Sequence, residues 1–309
     1  MARNLAETIR EITRRHLEEH HGVLFGQAIT AVGWVNNTVP HCRGIVEFPM
    51  ADVGNMGIAC GAAIAGVRPI VVIRFQDFMW LNSSPLVNYA AKSKDILGTP
   101  TPIFVRALSQ ENAGCTHSGV LHSVFMHMPG FRVCSPMTPR EYEEIWDEFM
   151  AHDDPLYCSE HRRSFSNSEE FVNTHHRADV TLIGVSAARF HLREASAILE
   201  QEGITSNVGH VVWLKPLGVE SAVEALSHSR LGVVVDAGYE TCGAAQSIAY
   251  TLMLRTGRPV RALGLEDRSV GVSPDSGNPT PSAERIARTV LEAWKEGCSK
   301  HAKKALSGV

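Results

Sequence analysis

Residues 48–78 read Phe48-Pro49-Met50-Ala51-Asp52-Val-Gly-Asn-Met-Gly57-Ile-Ala-Cys-Gly61-Ala-Ala-Ile-Ala65-Gly66-Val67-Arg68-Pro69-Ile-Val-Val-Ile-Arg74-Phe75-Gln-Asp-Phe78. The stretch contains two elements. Asn55 to Ala65 is rich in Ala and Gly and reads as a helix. Pro69 to Phe75 is an apolar, β-branched run of strand length. A helix delivered straight into a buried strand is the unit of an α/β fold. The glycines do not follow a strand as G-x-G-x-x-G, and the chain has no G-x-x-x-x-G-K-[ST] loop. They read as small residues that let the helix lie close to a sheet. Taken alone, Asp52 is a charge that the helix dipole favours.

The same rhythm extends in both directions. Leu24 to Thr30, Gly44 to Phe48, Pro102 to Arg106 and Phe131 to Ser135 read as strands, and Met1 to His20 and Leu86 to Lys94 as helices. Pro139 to Ala151 is a helix with Thr138 as its cap and Pro139 in its first turn. Ser164 to His176 is polar and weakly periodic, which marks a boundary. Beyond it, Val180 to Val185, Ser206 to Val212 and Leu231 to Asp236 read as strands. Helices are expected over Ala187 to Glu202 (closed by Gly203), Val219 to Leu226, Gly243 to Leu254 and Pro281 to Trp294. The expected fold class is α/β: two three-layer α/β/α domains with mostly parallel sheets, at 1–163 and 179–309, joined by a linker at 164–178.

A chain of 309 residues suits two domains. Its net charge of −4, with no Lys/Arg block, points away from nucleic acid and membrane surfaces. The seven cysteines are odd in number and form no C-x-x-C pair, so neither a disulfide framework nor a zinc site is expected. No apolar run reaches the roughly 20 residues that span a bilayer. Glu7, Glu11, Glu18 and Glu19 make the N-terminal segment unlike a transit peptide, and a cytoplasmic location is expected.

The order of short motifs carries a resemblance. Pro49, Asp52, Ala65-Gly66-Val67-Arg68-Pro69, Phe78 and Ala90-Ala91-Lys92 lead to His117-Ser118, Pro129-Gly-Phe-Arg-Val-Cys-Ser-Pro136 and Asp154-Pro155-Leu-Tyr-Cys-Ser-Glu160. Lys215-Pro216-Leu217 and Val233-Val-Val-Asp236-Ala-Gly238 follow. Together they resemble the beta subunit of the 2-oxo acid dehydrogenase E1 component, a branch of the transketolase-like thiamine diphosphate enzymes. The likeness covers nearly the whole chain. It implies a pyrimidine-binding domain followed by a transketolase C-terminal-like domain.

The resemblance implies a chemistry. In the family an acid hydrogen-bonds a ring nitrogen of the cofactor's aminopyrimidine, which needs an approach of about 2.6–3.2 Å. Asp52 stands at that position and His117 at that of the active-site histidine, a group able to move protons near neutral pH. Phe78 matches the aromatic beside the pyrimidine. Met50, Arg74 and Gln27 fall near the same ring, and His122 and His127 read as structural. Four positions depart from the family: Asp52 for Glu, Gln27 for an acid, Arg74 for an apolar residue, and Gly119 for Gln. No metal ligand is expected here. No Gly-Asp-Gly occurs, so the diphosphate and Mg²⁺ are expected on a separate alpha-type or transketolase N-terminal-like chain, in an α2β2 assembly. The leading expectation is decarboxylation of a 2-oxo acid, with the acyl unit passed to a lipoyl acyltransferase partner. The alternatives are a split transketolase or carboligase acting on a ketose and an aldehyde, and a non-catalytic stabilising subunit.

Overall fold

The structure, a computed structural model, describes residues 3–273 and 276–306. In chain order the strands are β1 (Leu24–Gln27), β2 (Ile45–Phe48), β3 (Ile70–Ile73), β4 (Phe104–Ser109), β5 (Arg132–Cys134), β6 (Leu156–His161), β7 (Val180–Val185), β8 (Ser206–Val211), β9 (Trp213–Lys215), β10 (Leu231–Tyr239) and β11 (Val260–Leu265). The helices are α1 (Leu5–Glu19), α2 (Ala31–Asn37), α3 (Asp52–Ile64), α4 (Met79–Pro85), α5 (Ala91–Leu97), α6 (His122–His127), α7 (Pro139–Ala151), α8 (Leu192–Gln201), α9 (Glu220–Ser227), α10 (Ala244–Thr256) and α11 (Ala283–Leu306).

The chain forms two α/β units. One comprises residues 1–171, 212–218 and 268–278, and the other 172–211, 219–267 and 279–309. The first holds a seven-stranded sheet in the order β2-β1-β3-β4-β6-β5-β9, parallel except where β9 runs against β5. The second holds a parallel sheet in the order β11-β10-β7-β8. Helices flank both sheets, as the βαβα rhythm required. Among the described residues no helix is long and apolar enough to cross a membrane.

Local chemistry explains the element ends. In α1, Asn4 Oδ1 accepts from Glu7 N (2.9 Å) and Glu7 Oε2 from Asn4 N (3.0 Å), so the helix begins at Leu5. Its apolar face, Leu5, Ile9, Ile12 and Leu17, is buried with Ile145 and Phe149 of α7. Thr138 caps α7 as expected, accepting from Glu141 N at 3.3 Å. The helix expected over Leu86 to Lys94 is part of a longer run, 79–97, in which Leu86–Ala90 is π-helical. The irregularity immediately follows Pro85, which has no N–H to donate and crowds the carbonyl four residues back. The strand expected over Leu24 to Thr30 stops at Gln27, because Ala28 turns to φ +49°. The helix expected from Ala187 opens as a 3-10 segment, Ser186–His191, before α8.

Three strands escaped the sequence reading: β6, β9 and β11. So did α2 and α6. In α2, residues 33–37 all have φ between +52° and +61°, a left-handed turn that is costly for L-residues such as Val35. Arg106 anchors the turn: its Nη2 donates to Thr38 Oγ1 at 2.8 Å, and Thr38 Oγ1 donates to Val35 O at 2.7 Å. Arg106 is itself fully buried in β4 and forked onto Glu160 of β6 (2.7 and 2.9 Å), which also accepts from Tyr142 OH (3.0 Å).

The glycines of α3 do not serve the packing expected of them. A Cβ built at Gly54, Gly57 or Gly61 meets, beyond its chain neighbours and its own helix backbone, no described atom within 4 Å. They form an open stripe, flanked by the exposed Val53 and Ile58. Gly130 is the opposite case. With φ +76° it brings its turn so close to the Ala91 carbonyl that a Cβ would overlap that oxygen.

Candidate active site

The carboxyl ends of neighbouring parallel strands converge on one cleft of about 270 Å³. Gly26 and Gln27 of β1, Phe48 of β2, and Val71 to Ile73 of β3 with Arg74 and Phe75 beyond it form the floor and walls. Asp52 and Asn55 enter from the start of α3, Phe78 and Asn82 from the next helical run, and His117 from the loop before α6. Crevices outside the carboxyl ends of strands are where open α/β sheets take ligands. All six residues singled out in the sequence, Gln27, Met50, Asp52, Arg74, Phe78 and His117, line this cleft. Met50 stands at its rim, 92% exposed.

Asp52 is the first residue of α3, so its charge is favoured by the helix as well as directed at the cleft. Asn82, buried, donates its Nδ2 to Asp52 Oδ1 at 2.7 Å and to Phe78 O at 2.9 Å. One carboxylate oxygen is thereby fixed, and among the described residues the other has no partner. Asn55 Nδ2 donates to Pro49 O at 2.7 Å and shapes the bend that precedes the acid. Sequence reading missed both asparagines. Asn82 lies thirty positions from Asp52, and nothing in its local pattern marks it.

Three rings form the aromatic side of the cleft. The His117 imidazole meets Phe75 edge-on, with centroids 4.3 Å apart, and Phe78 at 5.5 Å. Phe75 and Phe78 are themselves edge-to-face at 5.6 Å. His117 Nδ1 is 3.0 Å from Thr116 Oγ1. Its loop is pinned at several points. Ser118 Oγ accepts from Ala113 N (2.8 Å) and donates to Gly114 O (2.9 Å). Gly119 N donates to Asp77 Oδ2 at 2.8 Å, and Leu121 N to the buried Gln76 Oε1 at 2.6 Å. A Cβ at Gly119 would lie 2.7 Å from Asp77 Oδ1, which accounts for the glycine there. His122 is buried with its Nδ1 3.2 Å from Ser159 Oγ, as a structural histidine would be.

The donor set suits a flat heteroaromatic ring carrying an acceptor nitrogen. It offers an oriented carboxyl group, phenyl rings and a floor of Val71, Val72 and Ile73. Among the described residues, no three His, Cys, Asp or Glu side chains come together as metal ligands.

Known proteins place this architecture. Residues 6–167 match the transketolase pyrimidine-binding domain and 170–278 the transketolase C-terminal domain. The chain is 26% identical over 279 residues to the acetoin:2,6-dichlorophenolindophenol oxidoreductase subunit beta of Cupriavidus necator, covering 83% of this chain and 82% of that one. It is 25% identical over 231 residues to the human mitochondrial pyruvate dehydrogenase E1 component subunit beta, covering 68% of this chain and 64% of that one. Its fold is similar to a solved structure titled split gene transketolase, inactive beta4 tetramer (TM-score 0.76, 18% identity, 95% of this chain and 98% of that one). It also resembles transketolase from Campylobacter jejuni (TM-score 0.71, 18% identity), where it covers 94% of this chain and 47% of that one. With the two transketolase domains matched in order along its length, this chain belongs to the transketolase-like family.

Proposed function

We propose that this chain is the pyrimidine-binding half of a two-chain thiamine diphosphate enzyme that cleaves the carbon–carbon bond beside a ketone and hands the fragment to an aldehyde, as a split transketolase or carboligase. The observation that carries this reading is the convergence of Asp52, Phe78 and His117 on one cleft. When bound, the cofactor supplies a carbon acid and an electron sink. Asp52, oriented by Asn82, holds a proton against the pyrimidine nitrogen. Phe75 and Phe78 exclude water beside the ring. His117 carries a proton to or from the reacting substrate oxygen. Gln27 stands where an acid would titrate and keeps its neutral amide at all pH values.

Two observations support a partner chain that holds the diphosphate and Mg²⁺. The cleft, at about 270 Å³, is below the roughly 300–1,000 Å³ of complete small-molecule sites. Met50 at its rim is exposed, as are Val53 and Ile58 on α3, with its open glycine stripe, and Trp80 and Leu81 on α4. Such a surface suits the close approach of another chain.

What supports transfer over 2-oxo acid decarboxylation is the likeness to a split gene transketolase over 95% of this chain, and the dehydrogenase-like motifs do not weigh against it. The segments that resemble the dehydrogenase branch are used by the fold. Arg68 donates to Phe149 O, His152 O and Asp153 Oδ1 at 2.7–2.9 Å, and Lys215 Nζ to Met126 O and Met128 O. They therefore do not discriminate between chemistries. Acetoin, for which a relative aligned over most of its length is named, is a hydroxyketone and not a 2-oxo acid. Decarboxylation with a lipoyl acceptor is the second reading, favoured by the relatives named as pyruvate dehydrogenase subunits.

The test is an acceptor screen on this chain assembled with its partner, preceded by calorimetry of thiamine diphosphate plus Mg²⁺. Carbon–carbon bond formation with an aldehyde supports transfer, and reduction of lipoamide supports the second reading. Tight cofactor binding by this chain alone would break the two-chain proposal.

A further inference from the structure

Arg74 follows β3 directly and lines the cleft, half-buried. Its guanidinium carbon lies 5.8 Å from the Phe75 ring centroid. A second guanidinium, Arg162, lies 4.7 Å from the same centroid. Arg162 Nη2 donates to the Arg74 carbonyl at 2.9 Å and Nη1 to Asn36 Oδ1 at 2.7 Å, while its Nε is buried without a partner. The neighbouring acids are engaged elsewhere. Asp52 accepts from Asn82, Asp77 from Gly119 N, and Glu160 is forked by Arg106. Among the described residues Arg74 has no acidic partner.

Two like charges therefore share one phenyl ring with no carboxylate between them. Burial and the charge of Arg74 both pull the Arg162 pKa below its ordinary value, with Glu160 acting in the opposite direction. Such an arrangement is unfavourable by itself and becomes favourable when an anion enters. A guanidinium fork matches the paired oxygens of a carboxylate or phosphate. We propose that Arg74 is the substrate-binding residue for an oxyanion, the carboxylate or phosphate of the substrate, with Arg162 behind it as a positioning residue. This assignment rests on the reading of the cleft as half of a thiamine enzyme's site.

The test is calorimetric titration of the full chain, without thiamine, using inorganic phosphate and, separately, pyruvate at fixed chloride ionic strength. The expected result is saturable binding of at least one anion, weakened about tenfold or more by Arg74→Gln and largely restored by Arg74→Lys. Stronger binding of phosphate identifies a phosphate monoester substrate, and stronger binding of pyruvate a carboxylate. Absence of binding, or an affinity unchanged in Arg74→Gln, overturns the proposal. So does loss of binding in Arg258→Gln, which would place the anion at the Arg177, Arg230 and Arg258 cluster of the C-terminal unit. Because thiamine takes no part, failure here leaves the thiamine reading intact. Failure of the assembled pair to bind the cofactor, with anion binding preserved, removes that reading alone.

Discussion

The two units use the same α/β plan to different ends. In the C-terminal unit the four strands run six to nine residues, and the core is a continuous apolar cluster of Val180, Leu182, Leu192, Val233, Val235 and Ile286. In the N-terminal unit the seven strands run only three to six residues. β1, β2 and β3 end early and release Gln27, Phe48 and Arg74 into a cleft. Three irregular features belong to this unit, the left-handed turn at 33–37, the π stretch after Pro85 and the pinned loop at 114–121, against the 3-10 segment Ser186–His191 in the other. Short strands give up ladder hydrogen bonds and gain side chains whose directions are set by loops. Departures from regular structure of this kind concentrate where a site is built.

The largest expected effect tests whether the irregular unit carries the chemistry. In the assembled complex, Asp52→Asn should slow cofactor C2–H exchange by about 10²- to 10⁴-fold. Amide hydrogen exchange of β4 and β7 should be unchanged, because Asp52 lies at a helix start and outside either core. Undiminished cofactor exchange would sink the role assigned to Asp52.

The second prediction separates how the two sheets are held. Arg106→Leu leaves the buried Glu160 without its cation and with only the Tyr142 hydroxyl, at a cost of about 3–5 kcal/mol. Urea unfolding followed by hydrogen exchange should show the loss in β4 and β6, with β7 and β10 retaining their protection. The double variant Arg106→Leu/Glu160→Leu should recover part of it, since no charge is then stranded. Equal loss of protection in both sheets would mean that the units do not unfold separately.

The third effect is smaller and depends on pH. Burial pulls the pKa of His161 down to about 4, reinforced by Arg163 and opposed by Glu111. Burial, then Arg189, brings His210 of the C-terminal unit down to about 3. A histidine whose folded pKa lies below 6.5 binds more protons when unfolded. Stability therefore rises with pH through this window and is lost as pH falls from about 6.5 toward 4, by up to about 1.4 kcal/mol per pH unit for each histidine. His161→Asn should flatten the acid slope in the N-terminal unit only, and His210→Asn in the C-terminal unit only, read by unfolding between pH 4 and 7. Identical slopes in wild type and variants would show that other groups dominate acid sensitivity.

Much of the C-terminal unit was legible because its elements obey local rules. Val180–Val185 and Ser206–Val211 are β-branched or alternating runs, and Gly203 follows the end of α8. β11 was still missed, since Arg261 breaks its apolar run. In the N-terminal unit the motif positions stood out, but some served the fold and not the chemistry. Arg68 ties a loop, Gly130 allows a backbone approach, and Gly119 makes room for Asp77.

The sequence by itself determined the element types, the Thr138 cap, the acid at the head of α3 and the order of motifs that identifies the family. These are local properties, fixed by periodicity, capping and residue size. Only the tertiary structure decided that Asn82 would fix the Asp52 carboxylate, that Gln76 would hold the His117 loop, and that Arg162, eighty-eight positions away, would stand beside Arg74. Such meetings follow from the order and register of parallel strands, which carry the ends of distant segments to one edge of the sheet, and no local pattern encodes them.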